Sequence, residues 1–281
     1  MNRIGIRRNH HIMWNPLQLS QGSIYAWYDA SVPSSLTLVN SGGIDYVSNW
    51  ASRIGASRSL IQSTSTRRPY YELSQFNKRM CVKFDHNNGD TTHDYLDGFN
   101  VAGFNAVNAN LHMFVACRQT GPTIRAATGD ATENYMSIFG YEGYHGHIAL
   151  SSNSSGIQTG TVVEWWNAGL TSAKSAIITP TISPYQKLVC FGATIYGGTS
   201  GTWRNRLYYQ NYVQSRTSTT EATNRRQYPF VNCRMGCMFV STSTYAYPLK
   251  GEIYELLLIT GTVSDDVKVK LLEYLSAKWG P

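Results

Sequence analysis

The sequence predicts an all-β protein, a sandwich or barrel, closed by one C-terminal α-helix. Three observations carry that expectation. Short runs rich in β-branched and aromatic residues are separated by Gly, Ser, Asn and Pro clusters, with no helical periods between them. Charged residues make up 15% of the 281 residues, against roughly 25% in average domains, while aromatics reach 12%. The last twenty residues alone carry helical spacing and end signals.

Residues 1–22 have no clear period and read as an arm, in which Arg3, Arg7, Arg8 and Trp14 are the candidate docking residues. An arm without its own core gains order by binding. Residues 23–281 read as one domain, because no linker-like stretch divides them. Its strand-like runs begin at Ser23–Tyr28, Met80–Phe84 and Leu111–Cys117. They continue at Gly160–Trp166, Lys187–Ile195, Leu207–Val213, Cys233–Ser241 and Glu252–Thr260. The helix is expected over 264–279. Ser264 is its N-cap, Asp265 and Asp266 face the positive end of the dipole, and Gly280 stops it. Val267, Leu271 and Leu275 form its apolar stripe, widened by Leu272 and Trp279, with Lys268 and Lys270 lying away from it.

The composition excludes several classes. Abundant aromatics argue against disorder, and no apolar window approaches a membrane span. The net charge of +7 comes from scattered arginines rather than a basic run, so nucleic acid is not the expected partner. Cys81, Cys117, Cys190, Cys233 and Cys237 are odd in number and sit mostly in apolar runs, as buried free thiols of a reducing cytosol do. The N-terminus lacks the apolar stretch and cleavage site of a secretory signal, so synthesis in the cytoplasm is expected.

Two blocks carry a resemblance. The first runs AWYDAS (Ala26–Ser31), VSNWASRIG (Val47–Gly55), RRPYY (Arg67–Tyr71) and MCVKFDHNNGDTTHDYLDG (Met80–Gly98). The second is Gly251–Gly280. Together they resemble the laminin-G-like branch of the concanavalin A-like lectin/glucanase superfamily, with Asn49–Ser52 in place of the usual Asp-containing block and an expanded turn after Phe84. The resemblance implies a two-sheet antiparallel jelly-roll sandwich whose first and last strands lie together. Such modules occur in bacteriophage virion proteins and bacterial surface proteins.

The glucanases of that superfamily carry paired carboxylates on one strand face, a motif absent here. Glu252 and Glu255 are the nearest pair, and their odd spacing predicts opposite faces. Glu164 has no evident carboxylate partner. The chain is therefore expected not to be an enzyme. Asp85, Asp90 and Asp94, with Asn87, Asn88 and Asp97, offer the hard oxygen ligands calcium uses, and the same residue types build turns through their own backbone. His145 and His147 are a pair without a third ligand, so no metal or other cofactor is expected. Tyr141, Tyr144, Trp166, Trp203 and Tyr209 are the candidate glycan-binding residues, because sugar rings stack on Tyr and Trp; the same side chains also fill cores and interfaces.

The expected function is a structural or adhesive module of a large assembly, such as a capsid decoration or head-fibre protein on a virion surface. Its expected partners are other virion or capsid proteins and a cell-surface polysaccharide, with the chain itself oligomeric. The alternatives are a free carbohydrate-binding lectin-like module and, further off, a glycan-degrading enzyme.

Overall fold

A computed structural model describes residues 14–55, 58–85, 93–98, 110–121, 135–141, 147–152, 158–165, 174–178, 186–195, 205–209, 212–214, 232–241, 244–246 and 248–280. The first strands are β1 (Ser23–Asp29), β2 (Leu36–Ser41), β3 (Ile44–Ala51), β4 (Ser59–Ile61) and β5 (Tyr70–Leu73). Then come β6 (Met80–Phe84), β7 (Leu96–Asp97), β8 (Leu111–Gln119), β9 (Tyr135–Tyr141) and β10 (His147–Ser152). The next are β11 (Gln158–Trp165), β12 (Lys174–Ile178), β13 (Val189–Ile195), β14 (Asn205–Tyr209) and β15 (Tyr212–Gln214). The series closes with β16 (Cys233–Met235), β17 (Met238–Ser241), β18 (Thr244–Ala246), β19 (Gly251–Thr260) and α1 (Asp265–Trp279).

All described strands except β17 and β18 join one antiparallel sheet of 17 strands, which curls nearly into a barrel. β19 is its spine. It pairs with β8 along one edge, and along the other it pairs first with β6 and then with β1. The nine residues Gly251–Ile259 are all buried, the apolar continuity expected of a strand covered on both faces.

Alternation along these strands builds two cores. Ala26, Tyr28, Val82, Met113, Val115, Phe191, Leu256 and Leu258 point inward, where they meet Trp50, Leu60, Phe139 and Ile148 across the curl. Trp27, Phe114, Ala116, Cys190, Leu257 and Ile259 point outward and are covered by Leu271, Leu272, Leu275 and Trp279 of α1. Gly192 lets that layer close, because a Cβ there would stand 2.4 Å from the Phe114 ring.

The helix departs from its expected design in two details. Ser264 is the N-cap but makes no side-chain cap bond; its backbone N–H instead donates to Gln21 Oε1 at 2.7 Å. Lys268, expected to lie away from the apolar stripe, is 2% exposed and pairs with Asp265 at 3.1 Å. Its stem covers apolar surface while its ammonium reaches a carboxylate. Trp14, in the segment leading into β1, meets the Tyr274 ring edge-on at 6.4 Å. Among the described residues no helix is long and apolar enough to cross a membrane.

Candidate functional site

A polar cleft opens where the two-residue strand β7 meets β16. Asp97, Gly98, Asn232, Cys233 and Arg234 line a cavity of about 270 Å³. Register builds it: Arg234 lies opposite Asp97, and Met235 opposite Leu96. Leu96 and Met235 fill the inner core, so Asp97 and Arg234 take the outer face. Gly98 is required by closeness, since a Cβ would stand 2.0 Å from Cys233 Sγ.

Arg234 Nε donates to Asp97 Oδ1 at 2.6 Å. The two partners differ sharply in environment, the arginine side chain being 5% exposed and the aspartate 47%. The guanidinium also lies 4.1 Å over the Tyr95 ring, which Arg67 approaches at 5.6 Å while donating to the Tyr95 hydroxyl at 3.1 Å. Burial works against the Arg234 charge, but Cys237 and Asp97 outweigh it and hold the guanidinium above its usual pKa. Burial pushes the Cys237 thiol up to about 12, so it is neutral near pH 7 and its charge bears on the guanidinium only at the alkaline pH where both titrate. The cleft thus offers a fixed charge-assisted donor, a half-exposed carboxylate acceptor and the Asn232 amide around a small cavity.

The cleft lies on a longer cross-strand row. Ile61 pairs with Asp97, Arg234 with Gly140, Gly140 with His147, and His147 with Glu164. Asp97 and Glu164 therefore stand four strands apart, about 19 Å at ~4.8 Å per strand.

Glu252 and Glu255 correct the expectation of opposite faces. A bulge between Ile253 and Glu255 inserts Tyr254 and turns both acids toward the helix side. Glu252 accepts from Arg118 at 2.7 and 2.9 Å, from Ser74 at 2.9 Å and from the Tyr254 hydroxyl. Glu255 accepts from Trp27 Nε1 at 2.6 Å, Trp279 Nε1 at 2.5 Å, Tyr274 at 3.0 Å and Lys278 at 2.8 Å. Burial raises the Glu255 pKa, and Lys278 opposes the shift. Lys278 also reaches Asp29 at 2.7 Å, which Arg53 holds at 2.8 Å. Glu255 and Asp29 clamp α1 to the sheet, while Glu252 ties β19 to Arg118 of β8 and to Ser74.

Of the candidate glycan-binding residues, Tyr144, Trp166 and Trp203 lie outside the described residues, as do Arg3, Arg7, Arg8, Asp90 and His145. Tyr141 ends β9 opposite Cys233, a cleft residue, and Tyr209 ends β14 opposite Phe191 and Tyr212. Of the other calcium candidates, Asp85 and Asp94 bond to each other, the Asp85 N–H donating to Asp94 Oδ2 at 2.9 Å, and Asp97 pairs with Arg234. Among the described residues no group of three or more His, Cys, Asp or Glu side chains converges as a metal site. Arg234 drew no attention in the sequence, although a lone arginine inside an apolar run must find a partner once buried.

No protein-family model matches the chain, and no curated protein matches it in sequence. Solved structures align with it at low identity. An arabinofuranosidase complexed with arabinofuranosyl-α-1,2-xylobiose aligns at 13% identity and TM-score 0.50, covering 93% of this chain and 60% of the enzyme. The CBM40 of Ruminococcus gnavus IT-sialidase, bound to α2,6-sialyllactose, aligns at 12% identity and TM-score 0.44, covering 69% and 97%. The NanB sialidase of Streptococcus pneumoniae aligns at 14% identity and TM-score 0.39, covering 57% and 23%. At such identities the likeness concerns fold alone, and this chain spans 60% of the arabinofuranosidase.

Proposed function

We propose that the chain is a non-catalytic carbohydrate-binding β-domain, a lectin-like sandwich, whose ligand enters the Asp97–Arg234 cleft. The observation that carries this reading is the cleft itself. A buried guanidinium held by a half-exposed carboxylate presents donor and acceptor side by side, the arrangement that meets neighbouring hydroxyls. The cavity is about 270 Å³, near the ~300 Å³ lower end of ligand pockets, so it suits a single sugar ring. The fold shared with an arabinofuranosidase is consistent with sugar handling. Among the described acids, Glu252 is already engaged by Arg118 and Glu255 by Lys278 and Trp279 of α1, which supports binding rather than hydrolysis. Mounting on a virion or other assembly through the N-terminal segment is a separate proposal, to which the cleft adds nothing.

A glycan array that includes arabinoxylan oligosaccharides tests the reading. Binding is expected to at least one glycan class, and Asp97→Asn is expected to weaken it about tenfold, as loss of one charge-assisted hydrogen bond does. A blank array, or full binding by Asp97→Asn, would overturn the assignment of this cleft. Release of reducing ends from any bound glycan would overturn the non-catalytic reading.

A further inference from the structure

We propose that Tyr46 and Tyr70 form a second, separate sugar-stacking site, selective for neutral glycans. Both lie on the outer face, since their neighbours Val47 and Tyr71 fill the inner core. The single bridge between β3 and β5 sets them directly opposite each other, and their ring centroids are 5.2 Å apart at 42°. Both are partly exposed. Register extends the pair into a row, with Val39 beside Tyr46 and Lys83 beside Tyr70. Val39 is 39% exposed, so an apolar surface runs from it across both rings to a polar end. The row crosses three strand spacings, about 14 Å at ~4.8 Å each, long enough for more than one sugar ring.

The charges around the rings select the ligand class. Lys83 is ion-paired with Glu72 at 3.0 Å, and Lys250 with Asp85 at 3.5 Å. Burial raises the Tyr70 phenol, and Asp94, Tyr46, Asp85 and Glu72 raise it further. With both lysines already paired, an acidic chain would compete with Glu72 and Asp85 for them, whereas a neutral one need not. A neutral sugar fits: its C–H face lies on the rings, and its hydroxyls meet the Lys83–Glu72 pair.

Native gel electrophoresis through arabinoxylan, hydroxyethyl cellulose, laminarin or polygalacturonate tests this independently of the cleft. At least one neutral polymer should retard the protein and polygalacturonate should not. The paired change Tyr46→Ala/Tyr70→Ala should weaken retardation about tenfold or more. Tyr46→Leu/Tyr70→Leu, which keeps apolar bulk, should fail likewise, and Tyr46→Phe/Tyr70→Phe should bind, so loss of folding in the alanine pair leaves the result readable. The leucine pair made in the Asp97→Asn background should lower retardation further than Asp97→Asn alone, which separates the two sites. No retardation by any neutral polymer, wild-type retardation in the leucine pair, or equal retardation by polygalacturonate would overturn the proposal.

Discussion

His112 is fully buried on β8, its Nδ1 2.8 Å from Thr194 Oγ1 and its Nε2 2.9 Å from the Gly261 carbonyl. A carbonyl can only accept, so Nε2 carries the proton and Nδ1 accepts from the threonine. Burial lowers the pKa from 6.5 to about 4. Between those values the unfolded chain binds more protons than the folded one, so stability rises with pH across that window and is flat above it. The contribution lost on acidification is about 3 kcal/mol at 1.36 kcal/mol per unit. Urea titrations between pH 7 and 4 should show this slope in the wild type and a shallower one in His112→Gln; parallel slopes would mean the imidazole does not titrate this way. At this scale the site was only partly legible. Asp97 stood among turn-type residues and read as one of them, because nothing local reveals a two-residue strand facing an arginine 137 positions away. Tyr46 and Tyr70 show no sign of a shared surface in the sequence for a similar reason: a tyrosine's face becomes decisive only once register sets its neighbour.

Among the elements, α1 is held less by its apolar stripe alone than by a charged seam beneath it. Lys278 is 15% exposed and joins Glu255 and Asp29, whose side chains are 0% and 1% exposed. Removing one member of a buried pair leaves a charge without compensation and costs about 3–5 kcal/mol. Lys278→Met should lower unfolding free energy by that order in urea, and adding Glu255→Gln should recover part of it. If the double change is no better than the single, the seam is not the helix's anchor. Strands with a buried apolar face were readable: β6 begins and ends at its expected residues, and β19, buried on both faces, gains one. Two runs divide. Gly236, at φ +93, separates β16 from β17, and β14 and β15 form an antiparallel pair within one expected run. The polar strands β2 and β3 were not legible, since most of β2 is exposed and the bulge at Ser48 of β3 breaks the period of two. The same effect at Tyr254 reversed the expected facing of Glu255.

Across the whole molecule, all five cysteines are free and buried. Burial raises Cys81, Cys117, Cys190 and Cys237 above the usual thiol range, so little thiolate is present near neutral pH. These thiols are spread through both cores, with Cys117 and Cys233 in the inner one and Cys81 and Cys190 beneath the helix. A thiol reagent should therefore find none in native buffer and all five together as urea unfolds the chain. A thiol that reacts early would mark a region opening on its own.

The position of β19 has a consequence for synthesis. Trp27 waits 228 residues for the carboxylate that its indole bonds, and β8 waits for the same strand to pair along its free edge. A ribosome releases β1, β6 and β8 long before the strand that joins them, so during translation these apolar strands have open edges. Contacts of such long sequence separation also form slowly. The emerging chain is thus a natural client for holding chaperones until its last strand appears.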